Sequence, residues 1–220
     1  MEHNHCEREL KYLLEKGTVS LEQILALLNK HGYQLEKYKP KEKHEAYYDD
    51  GLLTLTKSQC VIRESHHLSP KGKLKKHRFM YKTNVSDINK PYVSKLELGS
   101  GKFKSVNDFI AALDLDIDIV QNPFLYAEVK RRTAVVKKGF ERLLISHDKI
   151  KYSKGNNSPI ASEEELELED WTNPHTGIWR DCDARLCETH DILTTSGLPL
   201  EPTKRSKHCR GHELLGGKTQ

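Results

Sequence analysis

The stretch Cys6-Glu7-Arg8-Glu9-Leu10-Lys11-Tyr12-Leu13-Leu14 decides the fold of this chain. Its residues alternate in character, and successive side chains of a β-strand point to opposite faces. In a strand, Glu7, Glu9 and Lys11 share one face, whereas the other face is mostly apolar. The pattern therefore predicts a strand with one densely ionic face.

The same alternation of charged and apolar residues recurs along the chain and predicts an antiparallel sheet. Further strands are expected at the end of residues 33–48, and at Cys60–Ser65, Arg78–Lys82, Val93–Leu98, Tyr126–Arg132, Phe140–Asp148 and Glu165–Glu169. Apolar residues at helical spacing predict helices at Leu21–Leu28, Val106–Leu113 and Ile178–Leu193. Because the helices sit between groups of strands, we expect one α+β domain.

Composition limits the classes of function. Of 220 residues, 36% are hydrophobic and 31% are charged, which is polar for a globular protein and implies a large charged surface or a charged interior. The net charge of +4 is too small to argue for nucleic-acid binding. Five cysteines without regular spacing, in a sequence with no long apolar run, predict reduced thiols, a cytoplasmic location and no membrane span.

The residues of the ionic faces fall into two groups. The acidic group is Glu7, Glu9, Glu165, Glu167 and Glu169, joined by Asp148. The basic group is Arg63, Lys82, Lys95, Lys130, Arg132, Lys207 and Arg210. Carboxylates suit a hard divalent ion such as Mg²⁺ or Mn²⁺, and Lys and Arg suit phosphate oxygens. Together they predict a site for a metal-bound polyphosphate.

The strand Glu165–Glu169 repels itself unless cations neutralise it, since its three glutamates share one face. One interpretation is a half-buried strand with its charges in water. The other is a sheet that closes on itself, with the charges in a polar lumen and the apolar faces packed outward against helices.

The segment Glu7-Arg8-Glu9-Leu10-Lys11 resembles the ExExK signature of the CYTH superfamily, the triphosphate tunnel metalloenzymes. Further matching stretches follow in the family's order: Tyr47–Asp49, the strand around Arg63, Lys82, Lys95–Glu97, Lys130–Arg132, Ile145–Asp148, Glu165–Glu169 and Ser206–Gly211. The resemblance covers nearly the whole chain. It implies a single domain over residues 1–215 with a tail at 216–220, built as a closed eight-stranded antiparallel tunnel with a charged lumen and flanking helices.

The resemblance also implies an enzyme that hydrolyses a triphosphate-containing small molecule with Mg²⁺ or Mn²⁺, as a monomer or homodimer. Glu7 and Glu9 would hold metal with two of Glu165, Glu167 and Glu169, in a combination that the motif leaves open. Asp148 and Glu97 would complete the acidic end or orient water. Phosphate oxygens would be held by Lys11, Arg63, Lys82, Lys130, Arg132, Lys207 and Arg210, with Lys95 standing where the family often has Arg.

One departure from the family pattern concerns substrate choice. The family often has two arginines two residues apart on the strand of Arg63, but the second position here is Ser65. Triphosphate hydrolysis is the first hypothesis. The alternatives are a cyclase that makes cyclic AMP from ATP and a non-catalytic sensor of nucleotide or polyphosphate, which Ser65 favours.

Overall fold

The computed structural model describes residues 3–69, 71–84, 90–91, 93–101, 103–115, 117–120, 122–155, 160–171 and 182–217. Within these ranges, side chains are described except at residues 3–7, 84, 93–97, 100 and 182–183. The strands are β1 (His3–Leu14), β2 (Gln34–Tyr48), β3 (Val61–Leu68), β4 (Leu74–Asn84), β5 (Val93–Ser100), β6 (Leu125–Lys138), β7 (Glu141–Ser153), β8 (Ala161–Asp170) and β9 (Leu200–Pro202). The helices are α1 (Leu21–Lys30), α2 (Thr54–Lys57), α3 (Val106–Leu113), α4 (Cys182–Thr194) and α5 (Lys207–Leu214).

All nine strands belong to one antiparallel sheet with the order β5-β4-β3-β2-β6-β7-β8-β1-β9. Strand β1 also pairs with β5, the strand at the other end of this order. Its first half, His3 to Glu9, pairs with β5, and its second half, Glu9 to Leu14, pairs with β8. Strand β1 thus joins two distant parts of the sheet.

The helices cover the apolar face of the strands in two places. In the first, α1 and α4 pack on β1, β6, β7 and β8 around Leu10, Tyr12, Ile145 and Leu168. In the second, α2 and α3 pack on β2, β3 and β4 around Ile62, Phe79 and Phe109. A third apolar cluster on the opposite face contains Tyr47, Leu125, Val129 and Tyr152, with Leu215, just after α5, packed against it. Apolar burial is therefore split between the two faces of the sheet.

Helix α5 approaches the sheet closely at Gly211. A Cβ atom at this position would overlap the ring of Tyr152. Beside it, His208 stacks on Tyr47 with ring centroids 5.9 Å apart. The C-terminal helix is therefore buried against the face of the sheet that the other helices leave open.

The α+β class and the antiparallel sheet predicted from the sequence are confirmed. The helix at Val106–Leu113 has the predicted bounds, and Ser20 caps α1 in a capping box with Gln23. The described sheet has nine strands rather than eight, because the three-residue β9 pairs with the end of β1. Sequence patterns missed α5, whose charged residues hide its helical period. The predicted start of the last helix, at 178–181, lies outside the described residues.

Closure of the sheet into a tunnel stays a prediction, as does the division of the chain into one domain and a tail.

No helix in the described ranges has both the length and the apolar composition needed to cross a bilayer.

We expect Ile24→Ala to destabilise the protein by about 2–5 kcal/mol, because Ile24 is fully buried between α1 and the sheet. Urea unfolding measures the change. Leu52→Ala is the matched control, since Leu52 is 76% exposed, and its free energy of unfolding should change by less than about 0.5 kcal/mol. Equal effects of the two substitutions would contradict the packing described for α1.

Candidate functional site

A charged cavity of about 220 Å³ lies on the sheet face that α1, α3 and α4 do not cover. Its basic lining residues are Lys11, Lys41, Lys43, Arg63, Arg78, Lys82, Arg131 and Lys207. Its acidic lining residues are Glu9, Glu167 and Glu169. Cations outnumber carboxylates eight to three in this lining, so the cavity favours a polyanion.

Strand alternation explains how these residues meet. Odd-numbered positions of β1, β2, β3, β6 and β8 face the cavity, while even-numbered positions of β1 and β8 pack under the helices. On β4 the parity is reversed, because Val61 pairs with Lys82 and Ser65 pairs with Arg78 in the antiparallel register. Charged side chains from β1, β2, β3, β4, β6 and β8 thereby meet in one cavity.

Lys207 of α5 anchors the acidic side of the cavity. Its Nζ lies 3.0 Å from Asp148 Oδ2, 2.6 Å from Glu165 Oε1 and 2.7 Å from Glu167 Oε1. Lys11 completes the group, with its Nζ 2.9 Å from Glu167 and 3.0 Å from Glu9. All these side chains are nearly inaccessible to water, so each charge depends on its neighbours.

Arg131 joins the same group from β6. It donates two hydrogen bonds of 2.6 Å to the two carboxylate oxygens of Asp148 and also pairs with Glu167. Burial raises the pKa of Glu167, but Lys11, Lys207 and Arg131 outweigh it and hold that pKa well below its usual value. Glu167 is therefore ionised.

Glu165 differs from Glu167 in its balance of burial and charge. It pairs with Lys207 and Arg210, yet burial dominates and raises its pKa above the usual value. Arg210 turns away from the cavity lining and also pairs with Glu163 at 2.7 Å. Glu165 and Arg210 thus form a buried ion pair that holds α5 on β8.

The opposite wall is formed by β2 and β3. Glu45 lies 2.7 Å from Lys43 and 3.0 Å from Arg63, and it accepts a 2.7 Å hydrogen bond from the hydroxyl of Tyr47. Burial, with the charge of Arg131 nearby, lowers the pKa of Lys43 to about 8. Burial and the charge of Lys43 lower the pKa of His67 to about 4, so His67 is neutral at pH 7. This wall holds excess positive charge that an anion would stabilise.

Two clusters of three acidic residues lie in the cavity region, and within each cluster the three ligand oxygens lie within 4.8 Å of one another. They are Glu9–Glu167–Glu169 and Asp148–Glu165–Glu167. Oxygen donors of this kind fit a hard divalent ion. The first group fits better, because all three of its members line the cavity, whereas Asp148 and Glu165 are fully buried and bound to Lys207.

The structure brings most of the predicted residues together. Those that line the cavity are Glu9, Lys11, Arg63, Lys82, Glu167, Glu169 and Lys207. Asp148, Glu165 and Arg210 are buried directly behind the lining. Glu7, Lys95 and Glu97 lie in β1 and β5, with Glu7 opposite Lys95, but their side chains are outside the described part of the structure.

The structure does not bring Lys130 and Arg132 to the cavity, which corrects the sequence-based prediction. The side chain of Lys130 is 62% exposed, and Arg132 pairs with Glu22 on the outer face. Strand alternation places Arg131, between them, in the cavity. The spacing of Leu125, Ala127 and Val129 was the available signal, because Arg131 continues this buried set.

Sequence reasoning also missed Lys41, Lys43 and Arg78. Lys43 and Lys41 lie two and four residues before Glu45, respectively, on the same face of β2. Arg78 pairs in register with Ser65, so a guanidinium enters the cavity beside the position where a second arginine of β3 was expected. Gly99 leaves room for the Arg78 guanidinium, which a Cβ atom there would displace.

Comparison with solved structures shows which proteins share this fold. The PH1819 protein of Pyrococcus horikoshii OT3 has 17% identity and a TM-score of 0.58, with 94% of this chain and 98% of that chain covered. An adenylate cyclase-like protein of Bacillus halodurans has 17% identity and a TM-score of 0.54, covering 94% and 97%. HpAC1 of Hippeastrum, an adenylyl cyclase-like protein described as having a dominant triphosphatase activity, has 15% identity and a TM-score of 0.53, covering 96% and 97%.

The chain has the fold of these proteins. Two of them are described as adenylate cyclase-like proteins. No protein-family profile and no curated protein matches the sequence. At identities this low, the likeness concerns the fold alone.

We expect Lys207→Met to cost about 3–5 kcal/mol of stability at pH 7, because three buried carboxylates lose a shared cation. Urea unfolding measures this loss. Lys130→Met is the control, because the side chain of Lys130 is 62% exposed, and its effect should stay below about 0.5 kcal/mol. If Lys207→Met were as stable as the control, Lys207 would not neutralise the acidic side of the cavity.

Proposed function

We propose that this protein hydrolyses a triphosphate-containing small molecule inside the charged cavity, with the help of a divalent metal ion. The observation that carries the proposal is the lining itself, where eight Lys and Arg side chains face three glutamates in a cavity of about 220 Å³. Such an excess of fixed positive charge, next to a carboxylate group that fits a hard cation, matches a metal-bound chain of phosphates.

We further propose that the sheet forms an eight-stranded tunnel in one domain around this cavity. The pairing of β1 with both β5 and β8 supports this, since it links the two ends of the strand order β5-β4-β3-β2-β6-β7-β8-β1. The buried charges support it too, because ionised side chains lose their hydration and remain charged only where neighbours compensate them. A tunnel would exclude bulk water and strengthen each contact to phosphate.

The lining residues of the cavity would have three roles in this reaction. Glu9, Glu167 and Glu169 would hold Mg²⁺ or Mn²⁺, which when bound neutralises phosphate oxygens and activates water. Negative charge that develops on the phosphoryl group would be stabilised by Arg63, Arg78, Lys82 and Arg131. Asp148 would keep Arg131 in orientation through its two hydrogen bonds. Lys11 and Lys207 hold Glu167 ionised, so that it can accept a cation.

The triphosphatase activity described for HpAC1 supports hydrolysis over cyclisation as the first activity to test. The cavity also supports hydrolysis, because eleven of its twenty lining residues are Lys, Arg or Glu, and the cations among them suit a phosphate chain.

We expect Glu169→Gln to lower kcat for inorganic triphosphate by about 100-fold or more, because one ligand of the proposed metal site is lost. Release of phosphate from inorganic triphosphate, ATP and thiamine triphosphate is measured with Mg²⁺ and with Mn²⁺. Glu128→Gln is the control, since Glu128 lies on the outer face of β6, and it should keep wild-type activity.

Three outcomes would count against hydrolysis at this site. Full activity of Glu169→Gln would show that Glu169 does not bind a catalytic metal ion in the cavity. Cyclic AMP and pyrophosphate as the products from ATP would identify a cyclase. Tight binding of triphosphate without turnover of any substrate would identify a sensor.

We expect kcat/KM to fall about tenfold between pH 7 and pH 9 through loss of the charge on Lys43, whose pKa is lowered to about 8. The sign follows from the chemistry, because the protonated amine binds phosphate and the neutral amine does not. Lys43→Met should lack this part of the decline, so the ratio of wild-type to variant kcat/KM should decrease with rising pH. A constant ratio would show that Lys43 does not bind substrate.

A further inference from the structure

A second cluster of possible metal ligands lies on the outer face of the sheet, away from the cavity. Glu64 and His66 are on β3 and His77 is on β4, and His66 pairs with His77 in register. The Nε2 atoms of His66 and His77 lie 3.0 Å and 2.8 Å from the same oxygen, Oε1 of Glu64. The three possible ligand atoms therefore all lie within 4.8 Å of one another.

Strand alternation separates this cluster from the cavity. Arg63, Ser65 and His67 face the cavity, so the two residues between them, Glu64 and His66, face the opposite side of the sheet. The cluster is partly buried, with side-chain exposures of 18% for Glu64, 27% for His77 and 43% for His66. The cluster is most accessible to an ion from solvent at His66, the most exposed of the three side chains.

The surroundings hold the donors in place. The hydroxyl of Tyr48 donates a 2.6 Å hydrogen bond to Oε2 of Glu64, which leaves Oε1 directed at the two imidazoles. The ring of Phe79 contacts His77 edge-on, with centroids 4.8 Å apart. A hydrogen bond that orients a ligating carboxylate, as Tyr48 does for Glu64, is typical of transition-metal sites.

We propose that Glu64, His66 and His77 bind a divalent transition-metal ion such as Zn²⁺. Two imidazole nitrogens and one carboxylate oxygen are donors that Zn²⁺ prefers, and they leave its fourth position to water. The present separations of 2.8 and 3.0 Å are close to the roughly 3.3 Å between ligands of a tetrahedral ion with bonds of about 2.0–2.1 Å. This site differs in chemistry from the all-oxygen group in the cavity.

The position of the site indicates a role for the ion. A bound ion would link β3 to β4 on the outer face, directly behind Arg63 and Arg78 of the cavity wall. An ion that binds only the folded protein raises its stability. We therefore infer a structural site that stabilises the β3–β4 hairpin.

The test is a titration of the full chain, without a histidine tag and in excess Mg²⁺, with Zn²⁺ by calorimetry and with Co²⁺ by visible absorption. The variants are His66→Gln and His77→Gln. His31→Gln is the matched control, because His31 is exposed after the end of α1. Glu169→Gln tests whether the ion instead occupies the cavity.

We expect wild-type protein to bind Zn²⁺, to show the visible bands of Co²⁺ in a nitrogen and oxygen site, and to unfold at a higher temperature with Zn²⁺. Both His66→Gln and His77→Gln should weaken binding by at least about tenfold and lose the thermal shift, whereas His31→Gln and Glu169→Gln should match wild type. Because His66 is the more exposed of the two histidines, its variant is expected to fold even if that of His77 does not.

The proposal fails if both histidine variants bind Zn²⁺ like wild type, if Glu169→Gln loses the binding, or if Co²⁺ shows a thiolate charge-transfer band. Triphosphatase activity of His66→Gln is measured in parallel. Since the site lies outside the cavity, its failure and the failure of the proposed hydrolysis are distinguishable.

Discussion

Compensation of buried charge is the constraint on which the rest of this structure depends. Asp148, Glu165 and Glu167 come from two neighbouring strands and are almost completely inaccessible to water. Without cations, three carboxylates in such a place would not stay ionised. Lys207 and Arg131 supply that compensation from α5 and β6, so formation of the sheet and docking of the C-terminal helix depend on each other. The arrangement leaves a cavity whose charges are held in position before any ligand arrives.

Burial of ionic side chains on one face requires apolar burial on the other. The outer faces of the strands are covered by α1 and α4 on one side and by α2 and α3 on another, and these contacts form the main cores. A third apolar cluster closes the space beneath α5 around Tyr47 and Tyr152. Part of the charge of this polar chain is therefore a consequence of its architecture, since charged side chains line the cavity and lie buried directly behind it.

Local patterns predicted the elements well where one rule dominates. Helix α3 was predicted with its observed bounds, because Ser105 caps it and its apolar residues follow a helical period. The face of β6 that meets the cavity differs from the prediction, because Lys130, Arg131 and Arg132 are chemically alike and the choice among them depends on which face meets the cavity. Helix α5 was missed for a related reason, since its buried residues Lys207, His208 and Arg210 are polar and find partners only in the folded protein.

The sequence by itself determined the alternation of charged and apolar residues, and with it the antiparallel sheet, the helices on its apolar side and the presence of carboxylates and cations suited to a metal and phosphates. Only the tertiary structure decided which charges meet. It placed Arg78 opposite Ser65, set Arg131 rather than its neighbours in the cavity, and bound Glu165 to Lys207 and Arg210 while leaving Glu169 in the lining. The reason is physical: strand register joins residues far apart in sequence, and a shift of one position moves a side chain to the opposite face of the sheet.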